Sequence, residues 1–348
     1  GAGGSGGAAT TTTIVLARGT TTSIQPAAIA IGADGDVWFT DGATARVGRI
    51  ALDGTVTFFP TTDWGQAITR GPDGNIWLTE ADIDPTTAYI AKITPAGALT
   101  EYELPAVLGG RGPRTLITGP DGDLWWADTQ GYVAKDTTDG ETTQFATGMA
   151  AGFITVGPDG NLWFIASHNF HTTATLTSVD LQGNVLKQVP FTCSAGGISG
   201  MTLGPDGNFW ITESDTYDAT TSAYTDTGFV GRLTPAGVLT QFPLPLDALA
   251  ANSFPQHIVA EPDGLLWFAQ PGNSSLDSIT PDGVLTKYRL EYSVGTTVLN
   301  LQAPALAVGL DGKTLWFAGD GAFGSFLPPD LGGGAATDAG AGSILCCR

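Results

Sequence analysis

The chain has 348 residues, of which 49 are Gly and 21 Pro, with 14 Lys+Arg against 34 Asp+Glu and a net charge of −20. Lys and Arg this sparse cannot neutralise a run of phosphates, which disfavours nucleic acid and anionic membrane surfaces as partners. With 42% hydrophobic and only 14% charged residues, the chain is neither a disordered polyelectrolyte nor a coiled coil, and no apolar run reaches the ~18 residues needed to span a bilayer.

Residues 1–9 form a Gly-rich arm, followed by TTTTIVLA, an isolated β-type segment within residues 10–18. A motif then recurs seven times: GADGDVWFTD (32–41), GPDGNIWLTE (71–80), GPDGDLWWAD (119–128), GPDGNLWFIA (157–166), GPDGNFWITE (204–213), EPDGLLWFAQ (261–270) and GLDGKTLWFAG (309–319). Its tryptophans (Trp38, Trp77, Trp125, Trp163, Trp210, Trp267 and Trp316) recur at intervals near the ~40–50 residues of a four-stranded propeller blade. In each copy a short apolar strand enters an Asp-Gly turn, which selects Gly for its positive φ, and an aromatic strand leaves it. A second strand pair follows around another Gly turn, as in VGRIALDGTVTFFP (47–60), IAKITPAGALTEYELP (90–105) and VGRLTPAGVLTQFPLP (230–245). No segment offers helical apolar spacing over a dozen residues. The expected fold is all-β: a seven-bladed propeller of four-stranded antiparallel blades over residues 10–328.

The seventh copy lacks an aromatic fourth strand before the Gly/Ala-rich tail, residues 329–348. The N-terminal strand stands where such a strand would precede blade one. It is therefore expected to complete blade seven and close the ring.

The repeated P-x-x-I-x-x-G-P-D-G-x-[LI]-W-F-T-E motif, followed by I-G-R-I-x-x-x-G-x-[IV]-T-E-Y-x-L-P, resembles the virginiamycin B lyase (streptogramin lyase) family over about residues 10–328. That resemblance implies a magnesium-dependent lyase that opens a cyclic depsipeptide by eliminating its ester oxygen. It implies His and Glu residues on the loop face of the ring, the face opposite the Asp-Gly turns. Six residues before each turn Asp stand Ala28, Ala67, Thr115, Phe153, Gly200, His257 and Ala305, so only His257 matches a family histidine. Where the family has Glu-x-His in the last blade this chain reads Ala303-Pro304-Ala305, and Asp320 is the stand-in for a family glutamate. Elimination needs a base and a group to hold the developing oxyanion, and half of that apparatus is replaced.

Carboxylates recur three residues after the Trp at Asp41, Glu80, Asp128 and Glu213, with Asp82, Asp84, Asp215, Asp218 and Asp226 in nearby loops. Ca or Mg held by the first four is one reading; a solvated acidic rim is the other. His168 and His171 form H-N-F-H on the same face as His257. Trp64, Tyr89, Phe170, Tyr217 and Tyr224 could present rings to a glycan or small ligand.

Three cysteines, Cys193, Cys346 and Cys347, lack zinc-binding spacing, and an odd count leaves one thiol unpaired or shared between chains. Together with Thr runs and one sequon, Asn273-Ser274-Ser275, they favour an oxidising, extracellular setting. Gly/Ala/Thr-rich ends ordinarily stay mobile unless docked, and the tail is long enough to reach a neighbouring subunit. The preferred reading is a non-catalytic, secreted propeller that binds or assembles, self-associating into an oligomer or filament through its arms and cysteines. The alternatives are a metal-dependent lyase using His257 and Asp320, and a ligand-binding propeller.

Overall fold

The computed structural model describes residues 10–17, 24–81, 87–105, 113–167, 173–193, 197–214, 217–218, 223–224, 228–245, 254–294, 297–300, 305–319, 322–328 and 343–345. Seven blade sheets follow one another along the chain, and among the described residues Tyr217–Asp218 and Ala223–Tyr224 form a further two-stranded hairpin within blade five. Blade one consists of Pro26–Ile31, Val37–Asp41, Arg46–Ile50 and Val56–Pro60, named inner, second, third and outer strand. Blades two to five repeat the order from Gly65–Arg70, Thr115–Thr118, Ala151–Val156 and Ile198–Leu203; blade six starts at Gln256–Ala260 and blade seven at Ala305–Val308. Each inner strand lies against those of the blades before and after it, and that of blade seven lies against that of blade one, so the ring is closed.

The repeat motif is a self-contained turn. Trp Nε1 donates to the turn carboxylate four residues earlier, Trp77 to Asp73 at 3.1 Å, Trp125 to Asp121 at 2.9 Å, Trp163 to Asp159 at 2.8 Å and Trp210 to Asp206 at 3.0 Å. A Cβ on Gly71 would stand 2.4 Å from the Trp77 ring, which is why the motif opens with Gly. The indole then stacks on an outer-strand ring of its own blade, Trp38 on Phe59, Trp77 on Tyr102, Trp125 on Phe145 and Trp210 on Phe242, with centroids 5.5 to 6.1 Å apart.

Between blades the core is apolar: Trp77 and Ile90 of blade two meet Leu116 and Trp126 of blade three, and Trp210 of blade five meets Phe268 of blade six. Basic side chains strap one blade to the next, from the third strand in blades one, two and five and from the outer strand in blade four. Arg49 donates to the Pro95 carbonyl, Lys92 to Thr138, Lys187 to Pro235 and Arg232 to Pro281, at 2.7 to 2.9 Å. Framework contacts thus occupy several of the chain's few cations.

Ring closure differs from the sequence expectation. The N-terminal strand, Thr10–Ala17, does not complete blade seven; it pairs in parallel with the outer strand of blade six, Leu285–Val294, from Thr10↔Thr286 to Ala17↔Ser293. The fourth seat of blade seven is held by Ser343–Leu345 from the tail, antiparallel to Ala322–Phe326. The reason is physical. Blade seven is fastened to blade one by side chains, with Phe323 against Phe39 at 4.5 Å between centroids, and needs no exchanged strand to stay there. The N-terminal strand keeps an outer strand's direction but occupies a different edge. The short Ser-Ile-Leu strand is hidden in sequence by the Gly/Ala composition around it.

Candidate functional site

The second strands end on the loop face at the residue three positions after the Trp. There stand Asp41, Glu80, Asp128, Glu213 and Gln270, all buried. Strand alternation puts each on the same side of its blade as the residue just after the Trp. That side also carries the outer-strand residue following the Thr of the V-T/L-T/T-T motif: Glu101, Gln144, Gln241 and Lys287 in blades two, three, five and six. These outer-strand partners were readable only from the pairing register.

The carboxylates are each held within their own blade. Asp41 accepts from Arg46 Nε at 2.7 Å, Thr44 Oγ1 at 2.9 Å and the Ala43 and Gln25 amides. Glu80 Oε2 accepts the Asp63 amide at 3.1 Å, and Oε1 is buried without a partner. Burial pushes the Glu80 pKa up to about 8, the neighbouring Glu101 charge adding to the rise. Glu101 itself accepts the Thr62 amide and hydroxyl, at 2.8 and 2.7 Å. Asp128 accepts the Gln130 and Tyr132 amides, and burial raises its pKa. Glu213 takes Gln241 Nε2 at 2.9 and 3.1 Å. No three His, Cys, Asp or Glu side chains among the described residues are grouped so as to hold a metal, and Asp41, Glu80, Asp128 and Glu213 are not brought together.

Blade six departs from its sisters twice. At the third-strand position opposite the residue after the Trp, other blades carry Gly48, Ala91, Ala134, Thr177, Gly231 and Gly324, but blade six has buried Asp277. Gln270 Nε2 donates to Asp277 at 2.5 Å, and Asn273 Nδ2 donates to Gln270 Oε1 at 2.7 Å. Burial lifts the Asp277 pKa to about 6, the facing Lys287 restraining the rise. On the turn face Glu261 replaces the motif's Gly and takes the Trp267 indole proton at 3.1 Å; burial raises its pKa to about 7.

His257 lies in the inner strand of blade six, half-buried, with φ of 44°. It is the residue skipped between the pairs Gln256↔Ala269 and Ile258↔Phe268, whereas blades one, four and five bulge one position earlier. Its backbone packs on Gly200, where a Cβ would stand 3.2 Å from His257 N and Cα. Burial lowers the imidazole pKa, leaving a neutral ring able to accept a proton. Cys193 is an unpaired, half-buried thiol whose pKa burial raises, which keeps it protonated and weakly nucleophilic. Of the loop aromatics, Trp64 is exposed and Tyr89 half-buried. Asp82, Asp84, His168, Phe170, His171, Asp215, Asp226, Asp320, Cys346 and Cys347 lie outside the described residues.

No described helix is long and apolar enough to cross a membrane. The family model described as the virginiamycin B lyase family matches residues 20–318. A virginiamycin B lyase of Nocardia farcinica is 31% identical over 121 residues, covering 34% of this chain and 41% of that protein, so the match spans about two fifths of the relative's length. A solved streptogramin B lyase shares 25% identity and a TM-score of 0.68, over 86% of this chain and 92% of its own. A catalytically inactive histidine-to-alanine variant of virginiamycin B lyase from Staphylococcus aureus, solved with quinupristin, gives 25% identity and 0.68 over 87% and 94%. Seven tandem blades, the repeated Trp turn and a match over most of the chain together make this protein a member of the virginiamycin B lyase family.

Proposed function

We propose that this chain is a non-catalytic member of its family, working outside the cell as a binding or assembly propeller. The observation that carries the reading is the placement of the chain ends. Blade six is complete with its own four strands, and the N-terminal strand is a fifth, added to the outer edge. A further support is chemical: the loop-face carboxylates are tied into their own blades, and the inner-strand positions that could present a base hold Ala28, Ala67, Thr115, Phe153, Gly200 and Ala305 beside the single His257.

A lyase is the second reading, favoured by the neutral imidazole of His257 and by the relatives named as lyases. One preparation of the full chain tests both. Light scattering and negative-stain microscopy, with and without reductant, are expected to show particles larger than the 35.7 kDa of one chain. Incubation with quinupristin and Mg²⁺, followed by mass spectrometry, is expected to leave the macrocycle closed. A monomer throughout removes the assembly reading, and ring opening that His257→Ala abolishes establishes the lyase.

A further inference from the structure

We infer that the outer edge of blade six is an acceptor for the N-terminal strand of a second copy, so that copies link by exchanging Thr10–Ala17; this rests on the assembly reading above. The acceptor strand is long. Leu285–Val294 pairs with the third strand only up to Arg289, and beyond it the inward edge is covered by Thr297–Asn300. Its outward edge takes the N-terminal strand along the whole length of that strand, at eight successive positions.

Two observations favour a second copy as the occupant. The strand does not fill the fourth seat of blade seven, which Ser343–Leu345 holds and against which it only rests. Its eight pairs are main-chain pairings, and an identical strand from another chain makes the same ones.

Charge points the same way. The chain carries −20, yet no acidic residue precedes Asp34 and Arg18 is the one charged residue before it. Two copies that repel over most of their surface meet with least repulsion through this arm. Lys287 and Arg289 stand in the acceptor strand, opposite Thr11 and Thr13. Added salt screens the remaining repulsion and is expected to increase exchange.

The test uses full-length chains with Cys193→Ser, Cys346→Ser and Cys347→Ser, carrying either Thr10→Cys or Thr286→Cys, partners in the observed register. Equimolar mixtures are incubated at increasing protein and salt concentration and oxidised with diamide. A disulfide-linked heterodimer is expected, about tenfold above a control mixture with Asp282→Cys, and the double variant on one chain should give a ladder. A double variant that closes only on itself, with no heterodimer in the mixture, overturns the inference, as does the absence of any disulfide. If light scattering still shows large particles in that case, assembly stands and proceeds by another contact. If the chain is also monomeric, both readings fail.

Discussion

Glu80 has no access to solvent, its Oε1 has no partner, and its pKa stands near 8 rather than 4.5. A carboxyl whose pKa is raised by folding binds more protons in the native state than in the unfolded one between those two values. Stability must therefore fall as pH rises from about 4.5 to about 8, with the full cost present above that. Glu80→Gln keeps an acceptor for the Asp63 amide and removes the charge. Thermal melts at pH 5 and pH 8 should show the parent losing stability across the interval and the variant losing less, with a higher Tm than the parent at pH 8. An equal fall in both would mean that Glu80 is ionised and solvated at neutral pH. Little of this was visible in sequence. The periodic acids at Asp41, Glu80, Asp128 and Glu213 are legible as a Ca or Mg site or as a solvated acidic rim, whereas they are buried, a relation set by strand register rather than spacing. His257 was found by its position in the repeat, whereas its left-handed backbone comes from a bulge one residue later than in its sisters.

At the level of the element, the Asp-Gly turn and its Trp were legible throughout, and in blades two to five the same few residues satisfy a turn, an indole and a strand start. The turn carboxylate is the joint. Asp73 accepts the Asn75 amide and side-chain amide as well as the Trp77 indole. Asp73→Ala is expected to cost about 1–3 kcal/mol, since it strands a buried indole donor, and urea unfolding would measure it. Blade six solves the same problem differently. Glu261 has displaced the motif's Gly, and Trp267 donates to it instead of to Asp263. Glu261→Gly should return Trp267 to the arrangement of the other blades and cost less than about 1 kcal/mol at pH 6. Because the Glu261 pKa is raised to about 7, its contribution to stability falls as pH rises from about 4.5 to 7, and the Gly variant should lack that part of the slope. A variant that unfolds at pH 6 would show that Glu261 packs rather than merely substitutes for the turn Asp.

For the whole molecule, the number of blades and their order were written in the repeat, and the closure was not. Repeats report what recurs, while the ring's seam is made by the two segments that do not recur. The sequence assigns the seam to the N-terminal strand because the seventh copy lacks an aromatic fourth strand and TTTTIVLA stands just before blade one, where an outer strand would. The structure divides the work differently, with Ser343–Leu345 on blade seven and Thr10–Ala17 on blade six. Two truncations separate these roles. A chain ending at Pro328 leaves Ala322–Phe326 as a bare edge strand on the three-stranded blade that meets blade one through Phe323 and Phe39. Its Tm should fall, and its exposed edge should make it prone to irreversible aggregation on heating. A chain beginning at residue 18 keeps all seven four-stranded blades, so its Tm in dilute solution should stay close to that of the parent. The opposite result, in which loss of the first 17 residues unfolds the ring and loss of the tail is harmless, would restore the N-terminal strand to blade seven. The distinction matters for assembly, because a strand the ring does not need is one it can give to a neighbour.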